Sequence, residues 1–210
     1  ALSKVNFNSL NLTPTASKVV KFNSSNNGIE AGDVGGSMVL ISTQTASSSA
    51  TISFTSGIDS TYKEYIFKFI NIHPATDNTS LMFNMSADSG SNYNVTKTTT
   101  FFNAVHTEND ATAYVQYQTG VDLAQSTSNQ YLMAGIGNND DDNGNGTLHL
   151  FDPSSSFVKH FIFTSARNGA VAVNDFVAGY GNTTSAINAV QFSMASGNID
   201  SGTIKLYGVS

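Results

Sequence analysis

The sequence predicts an all-β protein, an antiparallel two-sheet sandwich of the jelly-roll type with an extended N-terminal arm. Short apolar or alternating runs recur at intervals of roughly ten residues, with turn-forming residues at each break. Ser, Thr, Asn and Gly, which favour turns and strands over helices, carry most of the polar composition. The only helical candidate, at 121–130, is short, and parallel α/β folds need a helix between strands. An immunoglobulin-type sandwich is the alternative, and the lack of Trp and Cys weighs against it.

The segment 1–36 differs from the rest of the chain. It has one short apolar run, followed by a polar turn and Gly-rich spacing in KVVKFNSSNNGIEAGDVGG. This pattern predicts an arm, or an anchoring hairpin with a linker, rather than a domain. A loosely packed first hairpin of the main domain is the alternative. The β pattern becomes regular at Ser37, so we expect the sandwich domain to cover 37–210.

The strongest strand candidate is KEYIFKFINIH at 63–73. Tyr65, Phe67 and Phe69 alternate on one face, and the opposite face also carries apolar residues, which is typical of a central strand. Pro74 ends it, because proline cannot donate to a sheet ladder. In 79–88 the alternation predicts that Leu81, Phe83 and Met85 face inward. Other strand candidates are 37–42, 49–57, 98–106, 112–118, 130–137, 146–151, 158–166, 175–181 and 188–196. The last candidate, GTIKLYG at 202–208, should place Ile204 and Leu206 in the core and close the sandwich within one chain.

The charge balance excludes several functions. Net charge is −6, the sequence pI is about 4.9, and Arg167 is the single arginine. A nucleic-acid surface needs clustered Lys and Arg, as does attraction to anionic membranes, so we expect neither partner. The sequence contains no apolar run of about 18 residues, so it predicts no membrane insertion. With no cysteine there are no disulfides and no thiol chemistry. The first residues lack the apolar core of a signal peptide, so we expect synthesis in a cytoplasm.

The acidic stretch GNNDDDNGNG at 137–146 is the one metal candidate. Asp140, Asp141 and Asp142 supply the hard oxygen ligands that Ca²⁺ prefers. An EF-hand alignment fails, because Leu150 falls where the bidentate Glu is required. Gly and Asn also make this stretch a suitable hairpin loop between two strands, and an exposed loop is the favoured interpretation. We therefore assign no metal site and keep these aspartates as weak calcium candidates.

No catalytic or cofactor motif is present. The sequence has no G-x-S-x-G, Walker or G-x-G-x-x-G pattern, and the aspartates Asp122, Asp152 and Asp175 do not form a pair by spacing. His149 and His160 alternate with core residues, which predicts an outer-face position for both. A sugar-binding module would need aromatic platforms. The candidates are Tyr62, Tyr93, Tyr114, Tyr117 and Tyr131, for which sheet packing is the alternative use.

Several phrases together resemble a known family. They include LISTQTASSSATISFTSGIDSTYKEYIFKFINIHPATD, TGVDLAQSTSNQ, GTLHLFDPSSSFVKHFIF and AGYGNTTSAINAVQFSMASGNIDSGTIKLYGVS. The chain resembles a family of virion structural proteins of marine tailed bacteriophages over nearly its whole length. The opening SKVVKFNSSNNGIEAGD is similar to a segment common near the start of phage fibre and appendage proteins. No catalytic or ligand motif is attached to this resemblance.

The resemblance implies a non-enzymatic component exposed on the virion, as a capsid decoration or a tail or fibre appendage. The expected partners are other virion proteins, reached through the N-terminal arm, and further copies of the chain, with a trimer as the expected state. The alternative function is an adhesin that binds a host surface glycan or protein. Its binding residues would lie in loops 106–113 and 137–146.

Overall fold

The computed structural model describes residues 18–22, 25, 27–33 and 38–209. These residues form antiparallel strands and turns, and no helix occurs among them. The strands are β1 Lys18–Phe22, β2 Ile29–Asp33, β3 Met38–Thr45, β4 Thr51–Phe54, β5 Glu64–Pro74, β6 Thr79–Ser86, β7 Lys97–Thr107, β8 Ala113–Tyr117, β9 Gln130–Ile136, β10 Gly144–Phe151, β11 Lys159–Arg167, β12 Val171–Gly181, β13 Ala189–Met194 and β14 Ile199–Val209. The prediction of an all-β sandwich is confirmed.

The chain divides into two compact units, Ala1–Ser37 and Met38–Ser210. In the first unit, β1 and β2 form an antiparallel hairpin in which Lys21 faces Glu30 across the strands at 3.6 Å. Val19, Val20 and Phe22 on β1 are exposed. The rest of the predicted arm, 1–17, 23–24, 26 and 34–36, lies outside the described residues. A hairpin is therefore present within the segment for which the sequence predicted an arm or an anchoring hairpin.

The second unit is a jelly roll. One sheet contains the order β3-β14-β5-β10 and the other has the order β4-β13-β6-β9. Along the chain, each of these eight strands lies in the opposite sheet to the one before it. The exception is β9, which lies in the same sheet as β6 and pairs with it. This arrangement of eight strands in two Greek keys is the jelly-roll topology. The prediction of a jelly-roll-like sandwich thus agrees with the observed strand order.

Two insertions widen the first sheet to eight strands. The strands β11 and β12 follow β10, while β7 and β8 are inserted between β6 and β9, and they extend the sheet in the order β10-β11-β12-β7-β8. The four-stranded sheet covers only part of this wider sheet: β9 at its edge contacts β11 and β12, whereas all five residues of β8 at the far end are exposed. The far end, at β8, therefore has solvent on both faces.

The core lies between the two sheets. Its inward residues alternate along the strands, as at Leu81, Phe83 and Met85 on β6, which are all buried. Phe192 on β13 is at the centre of an aromatic cluster whose ring centroids lie 5.0 to 6.5 Å apart. The other rings of this cluster are Phe54, Phe67, Phe69 and Phe83. Phe54, Phe67 and Phe69 meet Phe192 edge to face and Phe83 stacks on it, and such aromatic pairs add to the stabilisation from apolar burial.

Strand β5 is central, as predicted, but it does not keep a strict alternation. Between Phe69 and His73, strand β5 contains one residue more than the paired stretch of either neighbouring strand. The extra residue is Asn71, whose φ is 52°. This bulge turns Ile72 into the core, whereas strict alternation places it with Ile70 on the face opposite Phe67 and Phe69. The short helical candidate at 121–130 is also corrected, because these residues form turns that lead into β9.

Candidate functional site

Four loops meet at one end of the sandwich, which we call the loop end: 75–78, 107–112, 137–143 and 168–170. The Glu108 N–H donates to the Ala170 carbonyl at 3.2 Å, and the Asn168 N–H donates to the Asn143 carbonyl at 3.3 Å. The Asn138 N–H donates to the Asp77 carboxylate at 3.3 Å. The turn at 168–170 thus joins the two loops that the sequence analysis singled out, 106–113 and 137–146.

The three aspartates of the acidic stretch do not act as one unit. The Asp142 carboxylate is buried and accepts a hydrogen bond from the Asn139 side-chain amide at 2.8 Å, while its N–H donates to the Asn139 carbonyl at 2.9 Å. Asp140 and Asp141 are exposed. Within the described parts of the chain, no group of three or more His, Cys, Asp or Glu side chains is placed to hold a metal ion. Asp142 therefore stabilises the turn in which it lies, through its hydrogen bonds with Asn139.

A shallow groove of about 310 Å³, lined by both polar and small apolar side chains, opens beside these loops. Its walls carry the Glu108 carboxylate and side-chain amides, and its floor is formed by small apolar residues of β11 and β12. The amides belong to Asn143, Asn145 and Asn168. Amide and carboxylate groups can hydrogen-bond a hydroxylated ligand, but no aromatic ring lines this groove to stack on a sugar.

A buried ion pair supports the loop end from inside. The Arg167 Nε donates to the Asp175 carboxylate at 3.0 Å, and the Arg167 Nη1 donates to the Gly135 carbonyl at 2.8 Å. Ser165 donates to the same Asp175 oxygen at 3.1 Å, and the second oxygen has no hydrogen-bond partner in the structure. Burial raises the pKa of Asp175, and Arg167 opposes that effect. The pair joins β11 and β12 to β9 of the opposite sheet.

The aspartates weighed as a catalytic set each have a separate partner. Asp122 accepts a hydrogen bond from the Tyr117 hydroxyl at 2.7 Å, and Asp152 pairs with Lys63 at 3.2 Å. Asp175 is the buried partner of Arg167. Each of the three thus interacts with a different side chain.

The histidines are also dispersed. His149 lies 2.5 Å from Glu64 across β10 and β5, and His106 lies 3.0 Å from Asp110 in the β7–β8 hairpin. His73 is 3.8 Å from Asp200. His149 and His160 are on the outer face of the eight-stranded sheet, next to buried Leu and Phe neighbours, as the alternation predicted.

The outer face of the eight-stranded sheet carries an apolar surface that the sequence pattern did not predict. A groove of about 340 Å³ crosses β7, β11 and β12 and is bordered by Phe151, Ile162 and Tyr180. Further along the same face, the rings of Phe102 and Phe176 stack with centroids 4.8 Å apart and an interplanar angle of 8°. These residues alternate with core residues in their strands, so their outward position was readable from the period of two once the strands were known.

The five candidate sugar-platform tyrosines do not form one surface, and Tyr93 is half-buried in the loop between β6 and β7. Tyr62 packs edge-on against Tyr65, with ring centroids 5.8 Å apart, and Tyr131 packs against the core. Tyr114 and Tyr117 are exposed on β8. They lie on opposite faces of that strand, because their positions differ by an odd number. The structure therefore favours sheet packing for Tyr62 and Tyr131.

Two fully buried lysines flank Gly181, which lies at the end of β12. Lys97 pairs with Gly181 from β7, and Lys159 pairs with it from β11. The Lys159 ammonium donates to the Ser155 carbonyl at 2.6 Å and to the Phe157 carbonyl, closing that loop. The Lys97 ammonium donates to Asn84 Oδ1 at 2.6 Å and to the Val95 carbonyl at 2.8 Å. Burial lowers the pKa of Lys97 to about 8.

No family model and no curated protein matches this chain. Among solved structures, the crystal structure of the infectious bursal disease virus VP2 subviral particle aligns with a TM-score of 0.15 and 10% sequence identity. That alignment covers 91% of this chain and 46% of the VP2 chain, so the chain spans about half the length of that structure. A likeness at this level carries no argument about fold or function. No helix in the described residues has the length and apolar character to cross a membrane.

Proposed function

We propose that this chain is a non-enzymatic structural component on the surface of a bacteriophage particle, as a capsid decoration or a tail or fibre appendage. The observation that carries the proposal is the apolar outer surface of the eight-stranded sheet. Phe102, Ile162 and Val115 expose 40%, 47% and 72% of their area there. Large exposed apolar patches mark interaction sites, and neighbouring subunits in a particle would bury this one. The family resemblance stated above supports the same role.

The N-terminal hairpin supports attachment at a second place. Val19, Val20 and Phe22 expose apolar side chains on β1, which suits docking of the hairpin on another virion protein.

Charged residues make up only 11% of the chain, and its exposed pairs, such as Lys63 with Asp152, contribute little where salt screens them. A particle that persists outside the cell in salt water therefore loses little stability. A homo-oligomer on the assembled particle, with a trimer as the expected state there, is part of this proposal.

The anchoring role is tested by incorporation into particles. A full-length Val19→Ser/Val20→Ser/Phe22→Ser variant should fold with unchanged circular dichroism but fail to join particles assembled in infected cells. The matched control is the exposed Phe157→Ser variant in the sandwich domain, which should be incorporated normally. Incorporation of both variants at the wild-type level would contradict anchoring through the hairpin.

An adhesin is the second candidate function, and one observation favours it. Loops 106–113 and 137–146 lie together at the loop end, beside an Asn-rich groove that can hydrogen-bond a host glycan or a polar protein surface. We expect a Glu108→Ala variant, which keeps the Asn168 side-chain bonds to Asp141 and Asn143, to lose binding to host cells while the wild-type domain binds them. Absence of wild-type signal on both a glycan array and host cells would contradict the adhesin function.

A further inference from the structure

Strand β8 forms an unprotected edge of the eight-stranded sheet. All five of its residues, Ala113–Tyr117, are exposed, and among the residues that the structure describes no strand lies beyond it. The Gln118 N–H donates to the Phe101 carbonyl at 2.9 Å, and the Thr107 N–H donates to the Thr112 carbonyl at 3.0 Å. Hydrogen-bonded and free positions alternate in an antiparallel ladder. Ala113, Val115 and Tyr117 therefore point their N–H and C=O groups away from β7.

Soluble proteins protect such edges with charges, prolines or bulges. The run TAYVQYQ at 112–118 contains no charge and no proline, and its register with β7 is continuous. The opposite edge of the same sheet, β3, is different. Its register with β14 shifts at Ile41, which places a bulge in the edge. β8 is therefore the edge of this sheet on which another strand can be added without obstruction.

We infer that β8 pairs with the β8 strand of a second copy of this chain, antiparallel and about a twofold axis at Val115. The free main-chain groups are at 113, 115 and 117, which are symmetric about position 115. Val115 then faces the partner's Val115, and Ala113 faces the partner's Tyr117. Each such pair exchanges two main-chain hydrogen bonds, so the contact forms about six.

The charge distribution of β8 permits a second copy as the occupant. A twofold contact sets like residues opposite each other, and with a net charge of −6 self-contacts tend to bring carboxylates together. Residues 113–117 of β8 contain no Asp or Glu, so their pairing brings no carboxylates together. On one side of the sheet the pairing also sets Tyr114 beside the partner's Gln116, a phenol with an amide that can hydrogen-bond it.

The outer apolar surface supports the same contact. Val115 and Tyr117 lie on the outer face beside the stacked rings of Phe102 and Phe176, because Phe102 is directly opposite Tyr117 in the ladder. Pairing at β8 joins the apolar outer faces of two copies into one continuous surface. The five-residue strands alone bury less than the roughly 1,200 Å² of a standard interface, so we expect a dimer that dissociates at micromolar concentration.

The test uses the purified full-length chain, so it does not depend on the virion role. Sedimentation equilibrium should show a monomer–dimer equilibrium for the wild type. Val115→Lys and Val115→Glu each place two like charges at the twofold axis, and each should raise the dissociation constant more than about tenfold. An equimolar mixture of the two variants should restore a heterodimer, because Lys then faces Glu.

The control is Thr43→Lys on the exposed β3 edge, which should associate like the wild type. Val115 is 72% exposed, so its variants should keep the wild-type circular dichroism. A wild type that stays monomeric up to millimolar concentration would overturn the inference. So would association that survives in both Val115 variants, or a trimer that they leave unchanged.

Discussion

Replacement of Lys97 by methionine should stabilise the protein at pH 7 and alter how its stability depends on pH. Lys97 is fully buried, and among the residues that the structure describes its ammonium donates to Asn84 Oδ1 and to the Val95 carbonyl, neither of which is charged. Burial without a carboxylate partner lowers the pKa of Lys97 from 10.5 to about 8. At neutral pH the folded protein therefore holds a charge that is more stable in the unfolded chain.

The magnitude follows from the two pKa values. The cost of the buried charge at pH 7 is roughly 3 kcal/mol. Loss of the two hydrogen bonds offsets about 1 kcal/mol for each bond. The net gain for Lys97→Met is then about 1 kcal/mol at pH 7. Between pH 8 and 10.5 the unfolded state binds more protons than the folded state, so wild-type stability rises with pH. From pH 7 to 9.5 the wild type should gain about 2 kcal/mol relative to the variant.

The assay is urea denaturation of both proteins at pH 7.0, 8.0, 9.0 and 9.5, followed by circular dichroism. Titration of tyrosines and exposed lysines affects both proteins alike and cancels in the difference between their unfolding free energies. The advantage of the variant should therefore shrink and change sign over this range. A constant difference across the range would refute the account of Lys97 as a buried charge without a carboxylate partner.

Three further predictions concern the core and the loop end. Phe192→Ala removes the central ring of the aromatic cluster and should lower the unfolding free energy by about 3 to 5 kcal/mol in urea denaturation. A loss below about 1 kcal/mol would contradict the central placement of that ring. Arg167→Met should cost about 3 to 5 kcal/mol because it leaves the Asp175 carboxylate buried without a cation, and adding Asp175→Asn should recover part of the loss. Addition of Ca²⁺ should leave the melting temperature unchanged, because the Asp142 carboxylate is held within its own turn, and a rise of several degrees would restore the calcium site.

Strand positions and facing were predictable because alternation is a local property of an extended backbone. Leu81, Phe83 and Met85 on β6 are buried as the alternation predicted, and so are Ile204 and Leu206 on β14. Where the backbone leaves the regular geometry, the same reasoning fails. The bulge at Asn71 reverses the facing of Ile72, and no alternating pattern announces an extra residue in one strand.

The candidate surfaces depended on contacts between distant parts of the chain. The order of strands in space, which leaves β8 at an open edge, follows from the insertion of β7 and β8 between two jelly-roll strands. The loops 106–113 and 137–146 could be named from composition, but their meeting through 168–170 required the topology. Lys97 lies at an inward position of β7, yet the sequence does not show which oxygens would receive its ammonium.

Location of the chain on an intact particle tests the central proposal most directly. Cryo-electron microscopy of purified phage particles whose genome encodes this chain should resolve the jelly roll on the outer surface, either on the capsid or on the tail. Its N-terminal hairpin should contact a neighbouring virion protein. Particles whose surface density and protein content both lack this chain would contradict the proposed structural role.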